Sequence, residues 1–202
     1  AQVFFGGAAT LSPLVYSALV QDLQNGETSG IAGILVNIIP ENMHWLSMYW
    51  VFAAVSIAML IFIALIKLPK VELTADESVG GLKVIGQLFK NKTVVLFFVG
   101  IIAYVGAEQG IANAISIFLE RYHGLDPLTI GANAVSDFWL MLTVGCIVGL
   151  VLLKILDSRL ILKIFSLGAI ISLTAALFGS ADLALTAFPL VGFFISIMWS
   201  VI

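Results

Sequence analysis

Glu108 is a carboxylate near the middle of an apolar run, TVVLFFVGIIAYVGAEQGIANAISIFLER, that extends from Thr93 to Arg121. Tyr104, Gln109 and Asn113 lie within about two helical turns of it, and Gly106 and Gly110 flank it. At about 1.5 Å rise per residue the acid sits roughly 20 Å from the Thr93 end, inside a hydrocarbon layer about 30 Å thick. A charge at that depth is costly, so the side chain is expected to face a bundle interior or a water-filled cavity. There it can trade protons, or it can be hydrogen-bonded to lock two helices together; the residues alone leave both readings open. Gln109 and Asn113 are one turn apart on a shared face, suited to the hydroxyls of a polar ligand or to bonds between helices. Glycines one turn apart predict a close helix approach or a helix break beside the acid.

Asp137 is a second acid inside an apolar span, with Asn133 one turn before it and no cation in that span's interior to pair with it. His44 and His123 fall at span ends and read as interfacial polar residues rather than a proton relay. Cys146 is the single cysteine, so neither an intrachain disulfide nor a cysteine-based metal site is available.

The elements that carry these residues follow from composition. The chain is 61% hydrophobic and only 10% charged, with a mean hydropathy of +1.13. Soluble domains run nearer half apolar and about a quarter charged, so the expected class is all-α, a polytopic membrane helix bundle. A net charge of −3 without a basic block excludes nucleic acid as a partner and leaves the lipid bilayer. No H-E-x-x-H, no G-x-S-x-G and no His/Cys set at ligand spacing occurs, so enzyme chemistry lacks its parts and no cofactor is expected. Rings of charge or repeated filter loops, which would favour a channel, are also missing from the sequence.

About six membrane-length spans are expected, at residues 1–23, 44–68, 93–121, 128–155, 161–179 and 183–202. Gly6, Gly7 and Ala8 offer the first span a small-residue face, and Pro13 predicts a kink. Residues 24–43 read as a loop whose apolar patch IAGILVNII lies at the interface. The polar stretch 69–92 divides the chain into 1–68, the last two helices of one bundle, and 93–202, the first four of another. After Gly81 that stretch places Leu82, Ile85, Leu88 and Phe89 on one face of a surface helix. Lys67, Lys70, Lys83, Lys90, Lys92, Lys154, Arg159 and Lys163 all fall on one side of this alternation, which the positive-inside rule makes cytoplasmic. Neither end carries a polar flank, and no signal-peptide pattern opens the chain. The sequence therefore reads as an internal stretch whose remaining helices lie elsewhere.

Four segments carry a resemblance to a known family: AQVFFGGAATLSPLVYS at 1–17, SMYWVFAAVSIAML at 47–60, AYVGAEQGIAN at 103–113 and GFFISIMWSVI at 192–202. They resemble the fucose/glucose–galactose proton symporters of the major facilitator superfamily, and the spans would correspond to the fifth through tenth of twelve helices. The turn Asp157-Ser-Arg159 is similar to a degenerate form of that superfamily's cytoplasmic D-x-x-G-R motif, a gating turn. The resemblance implies alternating access in a cell inner membrane, a small-molecule sugar as substrate and protons as the coupling ion. Glu108 and Asp137 are the proton-coupling candidates on their own depth and chemistry; around Asp137 the family favours apolar or aromatic residues. Gln2, Tyr104, Gln109, Asn113, Asn133, Trp139, Ser196 and Trp199 become the substrate-binding candidates, with Trp139, Trp199, Phe5 and Tyr104 able to stack on a sugar's C–H face or simply to pack. Two positions depart from the family's pattern: Phe5 stands where Asn is usual, and Ser200 where a Pro commonly follows the aromatic Trp199.

Overall fold

The computed structural model describes residues 2–26, 29–40, 42–67 and 82–201. It is a helical membrane bundle, and every regular element among these residues is a helix. In chain order they are α1 (Gln2–Gln24), α2 (Gly30–Leu35), α3 (Ser47–Leu65), α4 (Leu82–Leu88), α5 (Lys92–His123), α6 (Ala132–Ile155), α7 (Ser158–Phe178), α8 (Ala181–Ile195) and α9 (Met198–Val201). A short 3-10 turn, His44–Leu46, leads into α3, and a π turn, Pro127–Gly131, leads into α6. Among the described residues, five helical stretches are long and apolar enough to cross a membrane: His44–Leu65, Lys92–His123, Pro127–Ile155, Ser158–Phe178 and Ala181–Val201. They match five of the expected spans. At the first expected span α1 is helical over 23 residues, but Ser12, Pro13, Ser17, Gln21 and Asp22 interrupt its apolar character, and it is not among the five.

The chain forms two compact units, one of Ala1–Ser17 with Phe97–Ile202 and the other of Ala18–Leu96. In the first unit α8 packs along both α6 and α7. Lipid tails are as apolar as leucine, so helices in a membrane are held by close van der Waals packing and hydrogen bonds rather than by exclusion from water. Small residues make the close approach. A Cβ on Gly145 of α6 would lie 2.5 Å from the Phe193 carbonyl oxygen, and one on Gly192 of α8 would collide with the Phe138 carbonyl. Around this crossing Phe138, Ile115, Leu119, Phe188 and Val191 are buried. The start of α1 lies on α6, and of the expected small-residue face Gly6 makes the close approach: a Cβ on it would strike the Thr143 hydroxyl, whereas one on Gly7 meets nothing within 4 Å and Ala8 is exposed. Ser136 Oγ donates to the Thr10 carbonyl at 2.8 Å. The helix runs unbroken past Pro13.

Two expectations about helix continuity change. α5 is a continuous helix of 32 residues, and a Cβ placed on Gly106 or Gly110 meets nothing within 4 Å. Those glycines therefore neither break the helix nor bring a neighbour close. The interruption lies instead at Ser196–Ile197, between α8 and α9, although no proline follows Trp199. Ser196 Oγ donates to the Phe193 carbonyl at 2.7 Å, and the Ser196 carbonyl accepts from Cys146 Sγ at 3.5 Å. Ile197 is buried against Ile161 and Phe165, which anchors the break.

Helix ends follow from side-chain capping. Asp126 accepts from the Thr129 amide at 2.8 Å, Asp157 from the Arg159 and Leu160 amides at 2.8 and 3.3 Å, and Ser180 from the Leu183 amide at 3.4 Å. Gly124, at φ 66°, takes the left-handed conformation that turns the chain after α5.

In the second unit the stretch expected to be a loop contains α2. Its Ala32 and Leu35 are buried with Leu23 and Ile39, while Ile31, Ile34 and Ile38 are exposed. Of α3 only Ser47 is buried, so its apolar circumference is open to lipid or to other helices. In the expected surface helix Leu88 and Phe89 are exposed, whereas the side chains of Leu82, Lys83 and Ile85 lie outside the described residues, as do residues 68–81 of the expected inter-bundle loop.

Candidate functional site

The face of α5 carrying Tyr104 and Glu108 is buried because residues four apart stack on one side of a helix, and that side turns toward the bundle. It closes a cavity of about 340 Å³, lined by Phe5, Tyr104, Val105, Glu108, Gln109, Leu142 and Trp199. That volume is at the lower end of small-molecule pockets, roughly 300–1,000 Å³. All seven residues belong to the first unit.

Glu108 is only 8% exposed. The Tyr104 hydroxyl donates to its Oε2, and Gln109 Nε2 donates to its Oε1 at 3.3 Å. Both carboxylate oxygens are thus occupied by neutral donors from its own helix, and among the described residues no basic side chain lines the cavity. Trp199, on the short helix beyond the break, brings its ring centroid to 6.2 Å from that of Tyr104, tilted by 46°. Phe5 enters from α1 and meets Trp139 edge-on at 5.6 Å. The result is one acid, one amide and three aromatic rings around a space that a small polar molecule with an apolar face can enter.

The other candidate residues are placed as follows. Trp139 is buried beneath Phe5 in the core and does not line the cavity. Ser196 is 1% exposed, with its hydroxyl bound to Phe193, so it shapes the helix break rather than the cavity wall. Asn113 is exposed and stands outside the lining, as do Asn133 and Asp137, which share the open side of α6. Asp157 caps α7 through the Arg159 amide, and both residues of this turn are exposed. The Gln2 side chain lies outside the described residues. The sequence reading missed two features. Leu142, one apolar wall, carries no distinguishing signal; Gly145-Cys-Ile-Val-Gly149 does, being a small-x3-small pattern inside an apolar span.

Helices of this length and apolarity, with one acid hydrogen-bonded in the wall of a partly open aromatic cavity, define a multi-pass membrane protein with a place for a small solute. The chain is 27% identical over all its 202 residues to a Helicobacter pylori (strain ATCC 700392 / 26695) protein named "Putative glucose/galactose transporter". The protein of the same name from Helicobacter pylori strain J99 is also 27% identical over 202 residues. The match covers 100% of this chain and 47% of each relative, so the chain spans about half the length of the curated relatives it matches. No family model matches, and no solved structure matches.

Proposed function

We propose that this chain forms part of a secondary active transporter that moves a hexose-type monosaccharide across the cell inner membrane, with protons as the coupling ion. The observation that carries this reading is Glu108, a buried carboxyl in the wall of a solute-sized cavity, bonded by Tyr104 and Gln109 and faced by Trp199. A carboxyl there is a proton site, the amide of Gln109 is a ligand for sugar hydroxyls, and the aromatic rings suit the C–H face of a pyranose. The glucose/galactose names of the relatives agree with that chemistry. The resemblance to the major facilitator superfamily supplies the mechanism: two bundles rock about a central site that opens to one side at a time. In this reading the basic side, with Lys67, Lys154 and Arg159, is cytoplasmic.

The test is uptake by the complete protein in vesicles with simultaneous pH recording. Galactose or glucose added to de-energised vesicles is expected to enter together with protons, making the outside medium more alkaline. Sugar entry without a pH change would mean an uncoupled facilitator of the same architecture, and neither sugar nor proton movement would remove the transporter reading.

A further inference from the structure

Tyr104 occupies a position that neither the acid nor the aromatic wall requires by itself. Its hydroxyl donates to Glu108, and the ring carrying that hydroxyl packs at 6.2 Å from Trp199. Glu108 and Tyr104 are fixed on one continuous helix, α5. Trp199 belongs to α9, which is separated from α8 by the two-residue interruption at Ser196–Ile197. The root of that interruption is held, with Ile197 buried on α7 and Ser196 bonded to α6 through Cys146. Trp199 itself is half-exposed into the cavity, beyond the anchor. Trp199, Glu108 and Gln109 all line this space, and Tyr104 is in contact with both the Trp199 ring and Glu108.

We infer that Tyr104 is a positioning residue through which occupancy of the cavity's aromatic end controls the proton on Glu108; this rests on the proton-coupled reading given above. With the cavity empty, the hydroxyl is held against Glu108 and supplies a donor to the carboxylate. A sugar lying against Trp199 displaces the Tyr104 ring or competes for its hydroxyl, so the carboxylate loses that donor. Glu108 then takes a proton from the aqueous side to which the cavity is open, and returns it when the sugar leaves and the hydroxyl comes back. An O–H bond forms on the carboxylate when it takes a proton from the aqueous side and breaks when that proton returns to water, so one proton is bound and one released per cycle. The groups facing Glu108 are few. Tyr104 and Gln109 lie on its own helix, α6 brings the Cys146 thiol within electrostatic range, and α1 and α9 present the uncharged rings of Phe5 and Trp199.

The test compares Tyr104→Phe with Tyr104→Leu in the complete protein, reading uphill galactose accumulation against galactose counterflow, which needs no net proton movement. Tyr104→Phe keeps the ring on Trp199 and removes only the hydroxyl. It is expected to lower accumulation at least about tenfold more than it lowers counterflow, since the lost bond is one to a charged group. Tyr104→Leu is expected to lose both. On a Glu108→Gln background, Tyr104→Phe is expected to add nothing further. Trp199→Leu, which leaves the hydroxyl and removes its support, serves as the second variant and is expected to lower the ratio of protons to sugar. Wild-type accumulation in Tyr104→Phe, equal loss of accumulation and counterflow in that variant, or full additivity with Glu108→Gln would each overturn the inference. A wild-type protein that moves sugar without protons would instead overturn the coupled reading on which it rests, so the two failures are distinguishable.

Discussion

Two acids sit in the apolar interior of neighbouring spans, and the bundle treats them differently. Glu108 on α5 is buried, has a donor on each carboxylate oxygen and faces a cavity. Asp137 on α6 is exposed on the side that carries Asn133 and has no hydrogen-bond or ion-pair partner among the described residues. The difference is one of helix face. On α6 the inward positions are Ser136, Trp139 and Gly145, which meet α1 and α8, and Asp137 falls beside that stripe rather than on it. The acid that the bundle has enclosed and supplied with its own donors is the one to which the proposed function assigns the proton. An acid on an open face waits for something else to cover it, because lipid is a poor neighbour for a carboxylate.

The largest expected effect tests that contrast directly. Glu108→Gln keeps the size and hydrogen-bonding capacity of the side chain but cannot bind a transferable proton. A proton crossing 100 mV supplies about 2.3 kcal/mol, near fiftyfold in accumulation, so this variant should lose up to about that factor in uphill uptake while still exchanging sugar. Asp137→Asn should cost far less in the same assay. If Asp137→Asn abolishes accumulation and Glu108→Gln spares it, the enclosed acid is structural and the open one carries the coupling.

The glycines divide in the same way and give the next effect. Gly145 and Gly192 sit where α6 and α8 cross, against carbonyl oxygens, whereas Gly106 and Gly110 of α5 face open space. Gly145→Ala and Gly192→Ala should each destabilise the bundle by about 1–3 kcal/mol, the usual cost of overpacking a tight contact. Gly110→Ala should be neutral or slightly stabilising, since alanine is the better helix former. Thermal unfolding in detergent, followed by the fluorescence of the protein's tryptophans, ranks the three. A Gly110→Ala variant that unfolds earlier than Gly145→Ala would show that α5 meets a neighbour the crossing does not.

These contrasts mark what could and could not be read from the chain. The spans containing α3, α5, α6, α7 and α8 were legible, because apolar runs of membrane length have few alternatives. So was the inward placement of Glu108, because an acid inside an apolar span is expected to turn away from lipid. Which side of a helix turns inward was much less legible. An apolar helix in lipid presents similar residues all round, so Asn113 and Gln109, one turn apart, looked equivalent; only Gln109 reaches the cavity. The break before α9 was also obscured, since Ser196 interrupts the helix through its own hydroxyl and a buried Ile197 rather than through proline.

That pair of amides supplies a finer test. Gln109 lines the cavity and donates to Glu108, while Asn113 is exposed one turn on. Gln109→Ala removes hydrogen bonds worth about 0.5–1.5 kcal/mol each, so the sugar concentration for half-maximal uptake should rise about two- to tenfold. Asn113→Ala should leave it nearly unchanged. Equal effects would mean that the solute contacts a longer strip of α5 than this cavity contains.

The smallest effect concerns an acid in water, where the logic applied to Glu108 no longer holds. Asp126 lies in the connection between α5 and α6, fully exposed, and caps the π turn that starts at Pro127. The hydrogen bond from the Thr129 hydroxyl, helped by the Thr129 and Leu128 amides, holds its carboxyl below the ordinary value of 3.8. A depressed pKa means that the folded form prefers the charged carboxylate. The cap's contribution is therefore present above pH 3.8 and is lost as pH falls through the lower, folded value. The pH window in which the proposed transport would be assayed lies above this transition, so the cap should be constant there. The Thr129 amide resonance, followed by NMR in micelles, should titrate with a midpoint below 3.8, and Asp126→Asn should abolish that titration while keeping much of the cap. A midpoint at or above 3.8 would mean that the charged cap is not favoured in the folded chain, and that the turn owes its geometry to Pro127 and Gly131 instead.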